Sequence, residues 1–183
     1  MPLPEVVRYA VATAATGLFI WAGYTDIRER RISNIAVLAM IALFLPWVLA
    51  SGGDGLVSGL EAFGVAFAVT ALLYAFKIIG AGDSKLFAAA ALLVGLQQLP
   101  AFALATALFG GAVAVVSMAT RPTRALVMLQ LRGRGDYGRG VPYGVAIGFG
   151  AVVVIWGTLL GLLPHFFGGG RVNAQDISRM LGG

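Results

Sequence analysis

The sequence predicts an all-α protein, a polytopic membrane bundle of six transmembrane helices. Three observations carry this prediction. Of the 183 residues, 59% are hydrophobic and only 11% are charged, where soluble domains carry about 25% charged residues. The mean hydropathy is +0.89. Apolar runs recur at about 6–25, 35–50, 58–79, 86–99, 101–119 and 141–163, and about 20 residues at a rise of ~1.5 Å cross a ~30 Å hydrocarbon layer. These runs make one transmembrane domain over residues 1–167, with a flexible tail at 168–183.

The first run ends in Trp21 and Tyr24, which suit an interfacial belt. Although it lies at the N-terminus, it is long, shows no small-x-small cleavage site and is stopped by charge, so it reads as a retained anchor rather than a signal peptide. Asp26 then opens the charged turn Asp26-Ile27-Arg28-Glu29-Arg30-Arg31. Ser33 and Asn34 are placed to cap the second helix from Ile35, because their side chains accept from free backbone N–H groups. Residues 51–55 form a turn containing Asp54, and the third helix continues through Glu61 to Ile79, with Lys77 snorkelling to the border. The fourth run has fourteen apolar positions, a length that suits a buried or re-entrant segment as well as a span. In the sixth, Gly144 and Gly148, then Gly157 and Gly161, are each four apart on one face, where backbones can approach closely.

Charge bias orients the chain. If all six helices cross, ten of the thirteen basic residues fall on one side, five of them (Arg121, Arg124, Arg132, Arg134 and Arg139) in a loop at 120–140. By the positive-inside rule that side is cytoplasmic, and both termini face outward. The same topology accounts for the net charge of +5 without a nucleic-acid partner, since the basic residues occupy short loops. With no cysteine and a single histidine, His165, neither a disulfide framework nor a Cys/His zinc site is expected, and no cofactor is implied.

The chemistry concentrates at Gly80-Ala81-Gly82-Asp83-Ser84-Lys85. An acid bordering a membrane span is a functional-site candidate. Asp83 would begin the fourth helix, where free N–H groups and the macrodipole stabilise a carboxylate, while Gly80 and Gly82 permit backbone conformations closed to other residues. Asp26 follows the first helix and Asp83 the third, so an even number of crossings puts both on one side. Two neighbouring carboxylates share a proton, one serving as base toward water and the other as acid toward a carbonyl. Lys85 reads equally as a border lysine or as a group tuning Asp83, and Asn34 as a cap or a site-supporting donor.

With these residues in place, the chain resembles the type IV prepilin peptidases, membrane aspartyl proteases with a Gly-x-Gly-Asp motif. The likeness rests on residues 80–85, on Asp26 with its Arg-rich turn and Ile32-Ser33-Asn34, and on Val141-Pro142-Tyr143-Gly144; it covers about residues 6–163. It implies Asp26 and Asp83 as the catalytic pair, supported by Gly80, Gly82, Lys85 and Asn34, without metal. It also implies a pilin precursor as substrate, cut at the cytoplasmic face of a bacterial inner membrane, with membrane lipid and pilus assembly components as further partners. Ser33 stands where many members have Pro. The long members carry a Cys-rich domain associated with zinc and N-methylation; lacking cysteine, this chain is not expected to methylate. Its size resembles the short peptidases of tight-adherence (Flp-type) pilus systems; archaeal preflagellin peptidases are also short.

Other acids read more simply. Asp54 and Asp136 are expected in solvated loops, Glu61 at a border reaching water, and His165 at the far interface. The rival reading is a small proton-coupled transporter with Asp26 and Asp83 as relay groups, which would favour midplane acids and repeated halves. Neither feature is present in the sequence.

Overall fold

The computed structural model describes residues 2–29, 31–53, 55–132 and 143–163, with backbone alone at 117–132. Expectations for Arg30, Asp54, Arg134, Asp136, Arg139, Val141, Pro142, His165 and the tail at 168–183 lie outside the described residues. Among those described, six α-helices occur in the order α1 (Leu3–Glu29), α2 (Asn34–Ala50), α3 (Gly55–Ala75), α4 (Ala81–Val94), α5 (Leu99–Arg132) and α6 (Tyr143–Leu159), with a 3₁₀ turn at Leu96–Gln98. The all-α expectation holds. Three stretches, Leu3–Glu29, Gly55–Ala75 and Leu96–Val116, are long and apolar enough to cross a membrane; α2 and α6 are shorter apolar helices. This is a membrane protein by composition and helix length, while six crossings exceed what helix length alone supports.

The expected helix ends are corrected in several places. Asp26 does not open a turn after the first helix: α1 continues to Glu29 and Asp26 is buried within its last turns, because no glycine or proline interrupts the charged segment. The cap of α2 is Ser33, whose Oγ accepts from the Ile35 N–H at 3.2 Å, so Asn34 is a helical residue. Helix α3 stops at Ala75 rather than Ile79. There the Ile78 N–H reaches the Leu73 carbonyl and the Lys77 N–H that of Tyr74, with Lys77 at φ 60°, a Schellman ending built on lysine where glycine is usual. Helix α4 covers 81–94 rather than 86–99, ended by Gly95 at φ 78°. Helix α5 runs on through 120–132, which is therefore not loop. Helix α6 ends before Gly161, which at φ 67° ends the helix instead of sharing a face with Gly157.

The shortest of the six helices is the most buried. Along α4, Ser84, Leu86 and every residue from Ala88 to Leu93 are inaccessible, and the helix packs against α2, α3, α5 and α6. The reason is its side chains. Four consecutive alanines, 88–91, present little bulk on any side, so neighbouring backbones come close from all directions, the mode of association favoured where lipid removes the ordinary hydrophobic drive. Gly59 on α3 marks one such approach: an added Cβ would lie 2.5 Å from Phe44 and 2.7 Å from the Leu92 carbonyl oxygen. Outside this centre, α1 packs on α2 and α6, and α5 on α6. Ile20, Leu45, Leu72 and Leu108 turn outward, as a lipid-facing belt requires.

Two substitutions on α3 separate packing from propensity. Gly59→Ala is expected to destabilise by about 1–3 kcal/mol, since a carbonyl cannot yield as a side chain can. Gly64→Ala, with nothing within 4 Å of the new Cβ, is expected to be neutral or to stabilise by up to about 1 kcal/mol. Thermal unfolding of the two variants in one detergent checks the contrast.

Candidate active site

At one end of the bundle the last turns of α1, the connection into α2 and the first turn of α4 enclose a polar pocket of about 360 Å³. Asp26, Asn34, Gly80, Gly82, Asp83 and Lys85 all border it, so all six site residues expected from sequence come together. Arg31 and Ile32 border it too. Glu61 is exposed on α3 and outside it.

Asp26 is only 7% exposed, and a buried carboxylate needs donors. One comes from the other end of the chain: the Gly144 N–H, at the start of α6, donates to Asp26 Oδ2 at 2.8 Å. The first N–H groups of a helix have no partner within it, so α6 offers this donor without losing a bond. A side chain at 144 would prevent the contact, because an added Cβ would stand 3.0 Å from that same Oδ2 and 3.1 Å from Ile32 Cδ1. From its spacing Gly144 was expected to help helices pack, and it was otherwise named only within the stretch 141–144. It does pack, and it also holds the acid.

Ile32 entered the sequence reading only as part of Ile32-Ser33-Asn34, with no role of its own. Its side chain lies against Gly82 as well as Gly144; an added Cβ at 82 would come within 3.3 Å of Ile32 Cβ. One half-buried isoleucine thereby seats the α1–α2 connection between the starts of α4 and α6. The available signal was its position, one residue before the cap of α2 and between two polar stretches.

Asp83 sits in the first turn of α4, ahead of the apolar span that begins at 86. Burial, and next the neighbouring charge of Asp26, push its carboxyl from 3.8 up to about 6, against the opposing pull of a backbone hydrogen bond from Gly80. The glycine motif works differently from expectation. Gly80 has φ −78° and ψ 153°, an extended conformation open to any residue, and neither Gly80 nor Gly82 has positive φ. Their requirement is space: a Cβ at 80 would stand 2.9 Å from Asp83 Oδ2. Behind Asp83, the Ser84 hydroxyl donates to Thr70 Oγ1 at 2.9 Å, and Thr70 in turn donates to the Ala66 carbonyl, fixing α4 against α3.

Asp83 also borders a second cavity, about 410 Å³ and largely apolar, between α3, α5 and α6 and floored by α4. Val69, Phe87, Ala103 and Ile147 are among its walls. The carboxyl thus stands where a polar pocket meets an apolar groove. Among the described residues, no three His, Cys, Asp or Glu side chains cluster to hold a metal.

A family model described as the type IV leader peptidase family matches residues 13–115. No curated protein and no solved structure matches the chain.

The raised carboxyl has a measurable consequence. The folded protein holds a proton on Asp83 between pH 3.8 and about 6 that the unfolded chain releases, so this contribution to stability is full below the lower value and is lost as pH rises through the upper one. Thermal unfolding followed across that window is expected to show a flatter pH dependence for Asp83→Asn than for the unsubstituted protein.

Proposed function

The chain belongs to the type IV leader peptidase family, and on that premise we propose that it cleaves the leader from a pilin precursor with Asp26 and Asp83 as an aspartic catalytic pair. The observation that carries this reading is their meeting on one polar pocket, where burial and the charge of Asp26 push the Asp83 carboxyl up to about 6. In the proposed step, Asp26 takes a proton from water as the water attacks the scissile carbonyl, and protonated Asp83 donates to the carbonyl oxygen. The Gly144 N–H holds Asp26 in place for that transfer. As the tetrahedral intermediate breaks down, the C–N bond cleaves, Asp26 passes its proton to the leaving amine, and Asp83 takes one back from a hydroxyl of the intermediate, which restores the pair. Positioning matters as much as ionisation, since a displacement of ~1 Å at such a site can cost about a hundredfold in rate.

The apolar groove beside Asp83 supports a substrate whose polar leader meets the carboxyls while its apolar segment lies among the helices. Arg31 and Lys85 at the polar pocket suit acceptors on the peptide near the cut. We further infer that all six helices cross, with the pocket facing the cytoplasm: Arg28, Arg31 and Lys85 lie at its end of the bundle. A bacterial inner-membrane location, a place in a Flp-type pilus system and the absence of N-methyltransferase activity belong to the same proposal, the last in keeping with a sequence that has no cysteine.

Co-expression with a pilin precursor from the same genome, scored by gel shift and mass spectrometry, tests the reading. Asp26→Asn and Asp83→Asn are each expected to lower cleavage by at least about a hundredfold, the lower range for loss of a general acid or base, with Glu61→Gln active and all variants equally abundant in the membrane. Gly80→Ala, whose Cβ would displace the Asp83 carboxylate, is expected to fall between them. Cleavage that survives either aspartate change rules out the pair. Ion flux dependent on either aspartate, without proteolysis, would instead support the carrier.

A further inference from the structure

A second polar pocket, about 320 Å³, lies at the other end of α4, where Leu92–Gly95 meet α1, α2, α3 and α6. The proteolytic reading makes no use of it. Among its walls are Arg8, Trp47, Ser51, Ser58, Gln97 and Thr158, and no acid is among the described residues that line it. Arg8 is half-buried. Its guanidinium carbon stands over the Trp47 ring, 5.3 Å from the centroid, and its Nε is buried without a hydrogen-bond partner among the described residues. A guanidinium stacked on an aromatic face and short of an acceptor is well arranged for an anion, above all a phosphate that can take two of its N–H groups.

We propose that this pocket binds the phosphate and polyol head group of an anionic phospholipid. Depth is the first argument. Arg8 and Asp26 lie on the same helix, eighteen residues and hence about 27 Å apart along its axis, close to the ~30 Å of the hydrocarbon layer. With Asp26 at one polar border, Arg8 stands at the other, where lipid phosphates lie.

The remaining walls select among head groups. The Ser51 and Thr158 hydroxyls donate to the Trp47 and Val154 carbonyls of their own helices, which leaves lone pairs to accept from hydroxyls of a polyol. Among the described residues that line the pocket, no carboxylate is present to meet an ammonium. The pocket is also held in shape: Ser58 Oγ accepts the Leu96 N–H at 3.0 Å, anchoring the turn that carries Gln97. Gln97 is exposed, so a change there alters the charge of the pocket without removing packing.

Native mass spectrometry and thermal unfolding of the full chain in detergent, with added phosphatidylglycerol, phosphatidylethanolamine or inorganic phosphate, test the assignment. Phosphatidylglycerol is expected to be retained and to raise the unfolding temperature, the other two having little effect. Arg8→Gln and Gln97→Glu are each expected to weaken phosphatidylglycerol binding about tenfold, the loss of one charge-assisted hydrogen bond; Arg28→Gln, at the opposite end of α1, leaves it unchanged. Should Arg8→Gln fail to fold, Gln97→Glu carries the test, since its carboxylate would pair with Arg8 and repel phosphate. Binding undiminished by these pocket changes overturns the proposal. Equal stabilisation by inorganic phosphate assigns the pocket to a free anion instead, and equal stabilisation by phosphatidylethanolamine removes the polyol preference; either result overturns the head-group assignment.

Discussion

The hydrogen bond from the Gly144 N–H to Asp26 is the contact on which the rest of the site depends. It joins residues 118 positions apart and meets two needs at once, giving a buried carboxylate a donor and an unpaired helix terminus an acceptor. It also fixes where α6 must begin relative to the end of α1. Because position 144 carries no side chain, Ile32 can fill the space beside it and reach Gly82, so the same contact sets the position of α4. The pocket is therefore made where three helix ends are held to one another, and a change at any of the three would be felt by both carboxyls.

Much of this was legible in the sequence. Hydropathy alone points to each of the six helices among the described residues, because each run must be satisfied internally in an apolar medium. Asp26 and Asp83 stand out because charge at the border of an apolar run is rare enough to need a reason. Helix ends were less legible, since they depend on a few backbone hydrogen bonds: Lys77 in a left-handed conformation, where glycine would be expected, gives no signal of its own. The glycine motif was visible but its cause was not. Gly80 has an ordinary backbone conformation, and the space it leaves is evident only once the carboxylate beside it is placed. Ile32 and Gly144 act through contacts across the fold, which local pattern does not encode.

Burial and length run opposite to habit in this bundle. The long helices α1, α3 and α5 meet the surroundings with large apolar side chains, while the centre is the short, alanine-rich α4. A soluble core would concentrate its bulk at the centre, because burying large side chains is what drives collapse in water. In lipid that gain is absent and close backbone approach replaces it. The arrangement leaves little freedom to α4, and Asp83, fixed in its first turn, inherits that rigidity.

The shortness of α4 has an electrical consequence. Its fourteen residues extend about 21 Å, with a polar pocket at either end, so in the proposed orientation the insulating layer through the middle of the protein is thinner than the ~30 Å of lipid around it. A transmembrane voltage falls more steeply across a thinner insulator. The carboxyls, which line the pocket at one end of that layer, stand at the edge of the drop rather than within it, so their protons exchange with the compartment they face.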